Sequence, residues 1–112
     1  MKTNVGIGEV DNFMPAHVYI LESERNGKYY VGSTTNINER VRKHNAGEVY
    51  STKRLMPLKL VFKTEFLDIK IARSIEYKLK RLKRKDYLQK IVNSGVITLK
   101  NMNKAPEALF KN

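Results

Sequence analysis

Two runs of β-branched and aromatic residues, His17-Val18-Tyr19-Ile20-Leu21 and Lys28-Tyr29-Tyr30-Val31, stand on either side of Ser23-Glu24-Arg25-Asn26-Gly27. Asn-Gly tolerates the positive φ angles of a type I′ turn, so the stretch predicts a β-hairpin. A hairpin constrains what comes after it. Side chains alternate between its faces, and any loop with an even number of residues puts Tyr19 and Tyr30 on the same face.

The next segments read as helix, loop, strand and helix. Asn36 and Glu39 form an Asn-x-x-Glu start signal resembling a capping box, Ile37, Val41 and Asn45 share a stripe, and Gly47 supplies a left-handed stop. Arg40 and His44, four apart, project from neighbouring positions on that helix. Residues 48–57 form a polar loop closed by Pro57. In the run from Leu58 to Phe66, residues 58, 60 and 62 are apolar while Lys59 and Lys63 point the other way, a strand pattern. Asp68 is placed to cap a helix in which Ala72, Ile75, Leu79 and Leu82 form the buried stripe, and Asp86 to cap a shorter one. Val96 to Leu99 could add a short strand. The expected architecture is α+β: a small three-stranded mixed sheet (17–22, 28–33, 58–66) flanked by three helices (36–46, 68–84, 86–93). Residues 1–13 read as a flexible tail, 14–93 as the domain and 94–112 as an extension.

Composition narrows the function. The 112 residues include 22 Lys+Arg against 11 Asp+Glu, a net charge of +11. Between Lys70 and Lys90 nine basic residues face only Glu76 and Asp86, and Arg73, Lys80, Arg81 and Arg84 lie off the apolar stripe with Tyr77. A basic face of this kind suits a phosphate backbone. The chain has no cysteine, which excludes disulfides, thiolate metal sites and a Cys nucleophile, and fits a reducing, cytoplasmic compartment. No apolar run approaches the roughly 18 residues a membrane span requires, and no secretory signal is visible.

Hydrolysing a phosphodiester requires an oriented water, a positive group on the scissile phosphate and help for the leaving oxygen. A carboxylate-held hard cation covers the last need, and an arginine fork matches two phosphate oxygens. The chain offers Tyr19, Tyr30, Arg40, His44 and Glu76 in that order. Val18-Tyr19-Ile20, then Tyr30-Val31-Gly32-Ser33-Thr34, then Arg40-x-x-x-His44, then Glu76 on a later helix resembles the GIY-YIG nuclease family over roughly residues 16–92. Size and charge resemble its small stand-alone members. The first motif departs from the family by reading His17-Val18-Tyr19, without the glycine.

The resemblance implies a metal-dependent DNA endonuclease, with RNA not excluded as substrate, no membrane partner and DNA repair as a setting. One of Tyr19 and Tyr30 would position or deprotonate the attacking water, Arg40 would contact the scissile phosphate, and His44 would assist proton transfer or hold a tyrosine hydroxyl. Glu76 would be the single carboxylate ligand of one Mg²⁺ or Mn²⁺. A phenol is a poor base near neutrality unless positive charge such as Lys28, Arg40 or a metal lies close. Gly32 would permit close approach of backbone or substrate. Expected nucleic-acid contacts are Lys28, Ser33, Thr52, Lys53, Arg54, Arg73, Lys80, Arg81 and Arg84, with the Tyr50–Arg54 segment touching substrate.

Taken singly, these residues have ordinary uses. Tyrosines suit strands, Arg40 could pair with Asn36 or Glu39, His44 could complement a helix dipole, and Glu76 could pair with Arg73 or Lys80. Taken together they favour the nuclease. The runner-up is a non-catalytic nucleic-acid-binding module using the basic 70–90 helix. The sequence leaves oligomeric state open.

Overall fold

The computed structural model describes residues 14–97. The readings of residues 1–13 as a tail and of 98–112 as part of an extension lie outside the described residues. So do Thr98 and Leu99 of the expected last strand; Val96 lies in a bend and Ile97 has no regular structure. The elements are β1 (Ala16–Ser23), β2 (Tyr29–Thr34), α1 (Ile37–Asn45), a 3-10 segment (Tyr50–Leu55), β3 (Leu58–Phe66), α2 (Ile69–Leu82) and α3 (Lys85–Ser94). The α+β architecture is present, with a three-stranded sheet in the order β2-β1-β3. No helix among the described residues is long and apolar enough to cross a membrane.

The sheet is antiparallel throughout, not mixed. After β2, α1 carries the chain back along the sheet toward the Ser23 end of β1. There the Asn45 side chain clamps the start of β3: its Nδ2 donates to the Leu58 carbonyl (2.9 Å), and its Oδ1 accepts from the Leu58 N–H (2.8 Å). Leu58 lies opposite Ser23 and Phe66 opposite Ala16, so β3 runs against β1.

The hairpin forms with a different turn from the one expected. A type I′ turn needs positive φ at Asn26 and Gly27, but only Gly27 has it (φ 77°). Glu24–Gly27 instead make a four-residue loop closed by a Ser23 N–H bond to the Lys28 carbonyl (2.8 Å). Ser23 Oγ accepts from the N–H groups of Arg25 and Asn26, and Asn26 Oδ1 accepts from that of Lys28. The loop has an even number of residues, and Tyr19 and Tyr30 share a face.

Asn36 caps α1 by accepting from Glu39 N–H (3.1 Å), and Asp68 caps α2 by accepting from Ile71 N–H (3.0 Å). The α2 helix stops at Leu82 because Lys83 turns left-handed (φ 50°). Asp86 is not a cap: it sits in the first turn of α3 and pairs with Arg84 at 2.7 Å.

β1 is the central strand and buries both faces. Ala16, Val18 and Ile20 meet Ala72, Ile75 and Leu79 of α2 and Ile91 of α3 in one apolar layer. Tyr19 and Leu21 face the opposite layer with Leu58, Ile37, Val41, Leu55 and Met56. β3 serves both layers by a bulge. Leu60 lies opposite Leu21 but Phe62 opposite Ile20, so Val61 is the extra residue and Phe62 swings to the α2 side. The single apolar face expected for residues 58, 60 and 62 is therefore split between the two layers.

Candidate active site

The phenol of Tyr19 is placed by the hairpin register. Tyr19 lies opposite Gly32 on β2, and a Cβ on Gly32 would overlap the Tyr19 hydroxyl. The missing side chain is where the ring rests, so the glycine accommodates a neighbouring side chain rather than backbone or substrate. Tyr30, one pair along opposite Leu21, presents its ring on the same face and is only half-buried.

His44 comes up under both rings from the last turn of α1. It is fully buried, with ring centroids 5.8 Å from Tyr19 and 5.1 Å from Tyr30, both edge-on. Nε2 lies 3.0 Å from the Tyr19 hydroxyl, and Nδ1 lies 2.8 Å from Thr52 Oγ1. Burial, reinforced by the Arg40 charge, pulls the His44 pKa down to about 4, so the ring is neutral at physiological pH. It therefore does not act as the helix-dipole cation.

Arg40, one turn earlier, lies beside the hydroxyls of both tyrosines, and its interaction with Tyr19 is the main cause that raises its own pKa. Arg40 does not pair with Glu39, which takes Arg42 instead (2.9 Å). Burial raises the Tyr19 pKa, and nearby Arg40 opposes that rise without cancelling it. At neutral pH Tyr19 is thus a protonated phenol.

Glu76 reaches this group around the outer edge of β2. Its carboxylate accepts from Ser33 Oγ, and its other oxygen is 2.8 Å from Lys80 Nζ, which also lies 5.2 Å from the Tyr30 ring centroid. Its side chain is 20% exposed, and its charge is felt at Tyr19. Tyr19, Tyr30, Arg40 and His44 thus form one cluster, and Glu76 is joined to it through Lys80, which meets both the carboxylate and the Tyr30 ring. The set fits a hard divalent cation. Among the described residues no three acids or histidines form an all-protein cage. A cation at Glu76 would complete its shell with water and phosphate oxygens, the habit of Mg²⁺, while Ser33 steadies the carboxylate. It would also have to displace the Lys80 ammonium.

Two basic clefts flank the site and share Lys28. The larger, about 840 Å³, lies between the hairpin loop and the 3-10 segment and is lined by Arg25, Lys28, Lys53, Arg54 and the exposed Tyr50. The smaller, about 360 Å³, has an apolar floor of Val31, Leu79 and Leu88 beneath Lys28, Lys80, Lys83, Arg84 and Lys85. Arg73 and Arg81 are exposed on α2 outside both, with Arg81 stacked on Tyr77.

Two expected surface contacts lie elsewhere. Thr52 is fully buried, its hydroxyl spent on His44, and Ser33 is spent on Glu76. Thr52 is buried because the 3-10 segment tucks it under the histidine ring. Arg25, Lys83 and Lys85 were not singled out from the sequence; they enter the clefts only because a hairpin tip and a helix junction meet there.

A family model described as the GIY-YIG catalytic domain matches residues 15–91. Among curated proteins, a UPF0213 protein of Streptococcus pneumoniae serotype 4 is 40% identical over 70 residues, covering 62% of this chain and 70% of its own length. A UPF0213 protein of Halobacterium salinarum is 38% identical over 69 residues (61% and 88%). One from Staphylococcus haemolyticus is 36% identical over 76 residues (67% and 92%). No solved structure matches the chain.

Proposed function

The chain belongs to the GIY-YIG catalytic-domain family, and from that premise we propose that it is a metal-dependent endonuclease hydrolysing DNA phosphodiester bonds. The observation that carries this reading is the convergence of Tyr19, Tyr30, Arg40 and His44 into one cluster, with the Glu76 carboxylate tied to it through Lys80. The site lies between two clefts whose charge is suited to a phosphate backbone.

Each residue has a part in this reading. Arg40 grips the scissile phosphate, since the tyrosine oxygens occupy only some of its five donors. Tyr30, the more accessible phenol, orients the attacking water. Tyr19 is too buried for that and instead links Arg40 to His44, whose neutral ring holds the phenol in place. Glu76 would hold one Mg²⁺ or Mn²⁺, which when bound supplies positive charge for the phosphate and the leaving oxygen. Lys28, Lys53, Arg54 and Arg84 line the path of the backbone on either side.

Purified chain incubated with supercoiled plasmid and Mn²⁺ should produce nicks that EDTA abolishes, with structured RNA as a parallel substrate. A second reading, a nucleic-acid-binding module without chemistry, is favoured by the Lys80 ammonium sitting on Glu76. Salt-dependent binding with no nicking at any metal concentration would select it.

A further inference from the structure

The polar layer beneath the sheet contains one group that the reaction above leaves unused, the Thr52 hydroxyl on the far side of the His44 ring. The direction of the hydrogen bonds along this row is set from its threonine end. Thr52 Oγ1 donates to the Val49 carbonyl at 3.4 Å, so toward the histidine it is the acceptor. Tyr19 is 1% exposed, and the acceptor facing its hydroxyl hydrogen is His44 Nε2, 3.0 Å away. Nε2 must then be bare, and the neutral ring carries its hydrogen on Nδ1, 2.8 Å from Thr52 Oγ1. Every donor in the row then points the same way. The other tautomer would turn the Tyr19 hydrogen away from its partner in a buried site and leave a bare Nδ1 against a hydroxyl whose hydrogen is already given to Val49.

We propose that Thr52 is a positioning residue that sets the tautomer of His44 and, through Tyr19, the aim of Arg40. The 3-10 segment is then part of the machinery, since its fold delivers one hydroxyl to the back of the histidine. The kinetic half of this inference rests on the nuclease reading; the tautomer half does not.

The test uses the full chain with ¹⁵N-labelled histidine, the second histidine being removed by His17→Gln. Near neutral pH, without metal or DNA, long-range ¹H–¹⁵N spectra should show His44 protonated at Nδ1 and bare at Nε2. Thr52→Val removes the acceptor and should mix the tautomers. Its nicking rate should fall about 10- to 100-fold, as for lost outer-shell partners, with DNA affinity within about 2-fold. Thr52→Ser should restore both readouts. A wild-type ring protonated at Nε2 overturns the proposal, as does a folded Thr52→Val with wild-type rate and spectrum, or Thr52→Ser failing alongside it. If Thr52→Val does not fold, the wild-type spectrum and the Thr52→Ser rate decide. A wild-type chain with the expected spectrum and no nicking sinks the nuclease reading alone.

Discussion

The two faces of β1 pack against interiors of opposite kind. On one side Val18 and Ile20 meet Ala72, Ile75, Leu79 and Ile91, a layer held by apolar burial. On the other, Tyr19 and Leu21 share space with His44 and Thr52, equally buried but polar. Burial of the first kind is non-directional and scales with area, whereas burial of the second kind is tolerable only while every donor finds its acceptor. The first layer supplies stability that does not depend on hydrogen-bond direction, and the second holds side chains in one geometry. Mutations and conditions should therefore separate the two.

The largest effect is expected at the site. Glu76→Gln and Arg40→Ala should each lower metal-dependent nicking by roughly 1,000-fold, about 4 kcal/mol of barrier, with the melting temperature nearly unchanged. Both residues are partly solvated, and neither fills the apolar layer. Plasmid nicking and a thermal melt check this; two variants cutting at the wild-type rate would remove these residues from the site.

Leu79→Ala should behave in the opposite way. It opens a cavity in the apolar layer and should cost about 2–5 kcal/mol in urea unfolding, while the folded fraction cuts at the wild-type rate. A fall in rate beyond the folded fraction would show that the layers are not separable.

Next comes pH. His44 titrates at about 4 when folded but near its ordinary 6.5 when unfolded, so between those values the unfolded chain binds more protons. The stability from its neutral ring is complete above about pH 6.5 and falls away toward pH 4, a loss of about 3 kcal/mol. Urea titrations across that window measure it, and His17→Gln should retain the full loss. Burial raises the Tyr19 pKa and the neighbouring phenol raises that of Arg40, so neither of these groups beside the ring changes charge in this range.

The smallest effect belongs to the cleft. Arg54→Ala should weaken DNA binding by a similar factor for all sequences and reduce the slope of log K against log salt by about 1, leaving both interiors intact.

Local chemistry made much of this legible in the sequence. Asn36 and Asp68 cap where a side-chain oxygen precedes a helical stripe, and Ala72, Ile75 and Leu79 bury as their spacing dictates. Tyr19 and Tyr30 share a face because period two leaves no other outcome. What could not be read depended on tertiary context. Nothing in Leu58-Lys59-Leu60-Val61-Phe62 marks Val61 as a bulge, since the residue has no glycine's freedom and sits in an unbroken apolar run. Thr52 lies in a polar segment without periodicity, and its burial follows from where α1 delivers His44. Lys83 takes a left-handed φ usually left to glycine, so the end of α2 gave no warning.

The bulge governs how the gene can change length. Dropping the Val61 codon would leave Leu60 opposite Leu21 and Phe62 opposite Ile20 in plain alternation, so both layers would keep their residues. Other one-codon changes within β3 turn a side chain to the wrong face and should be purged, whereas the Glu24–Gly27 loop can take two extra residues without altering either layer.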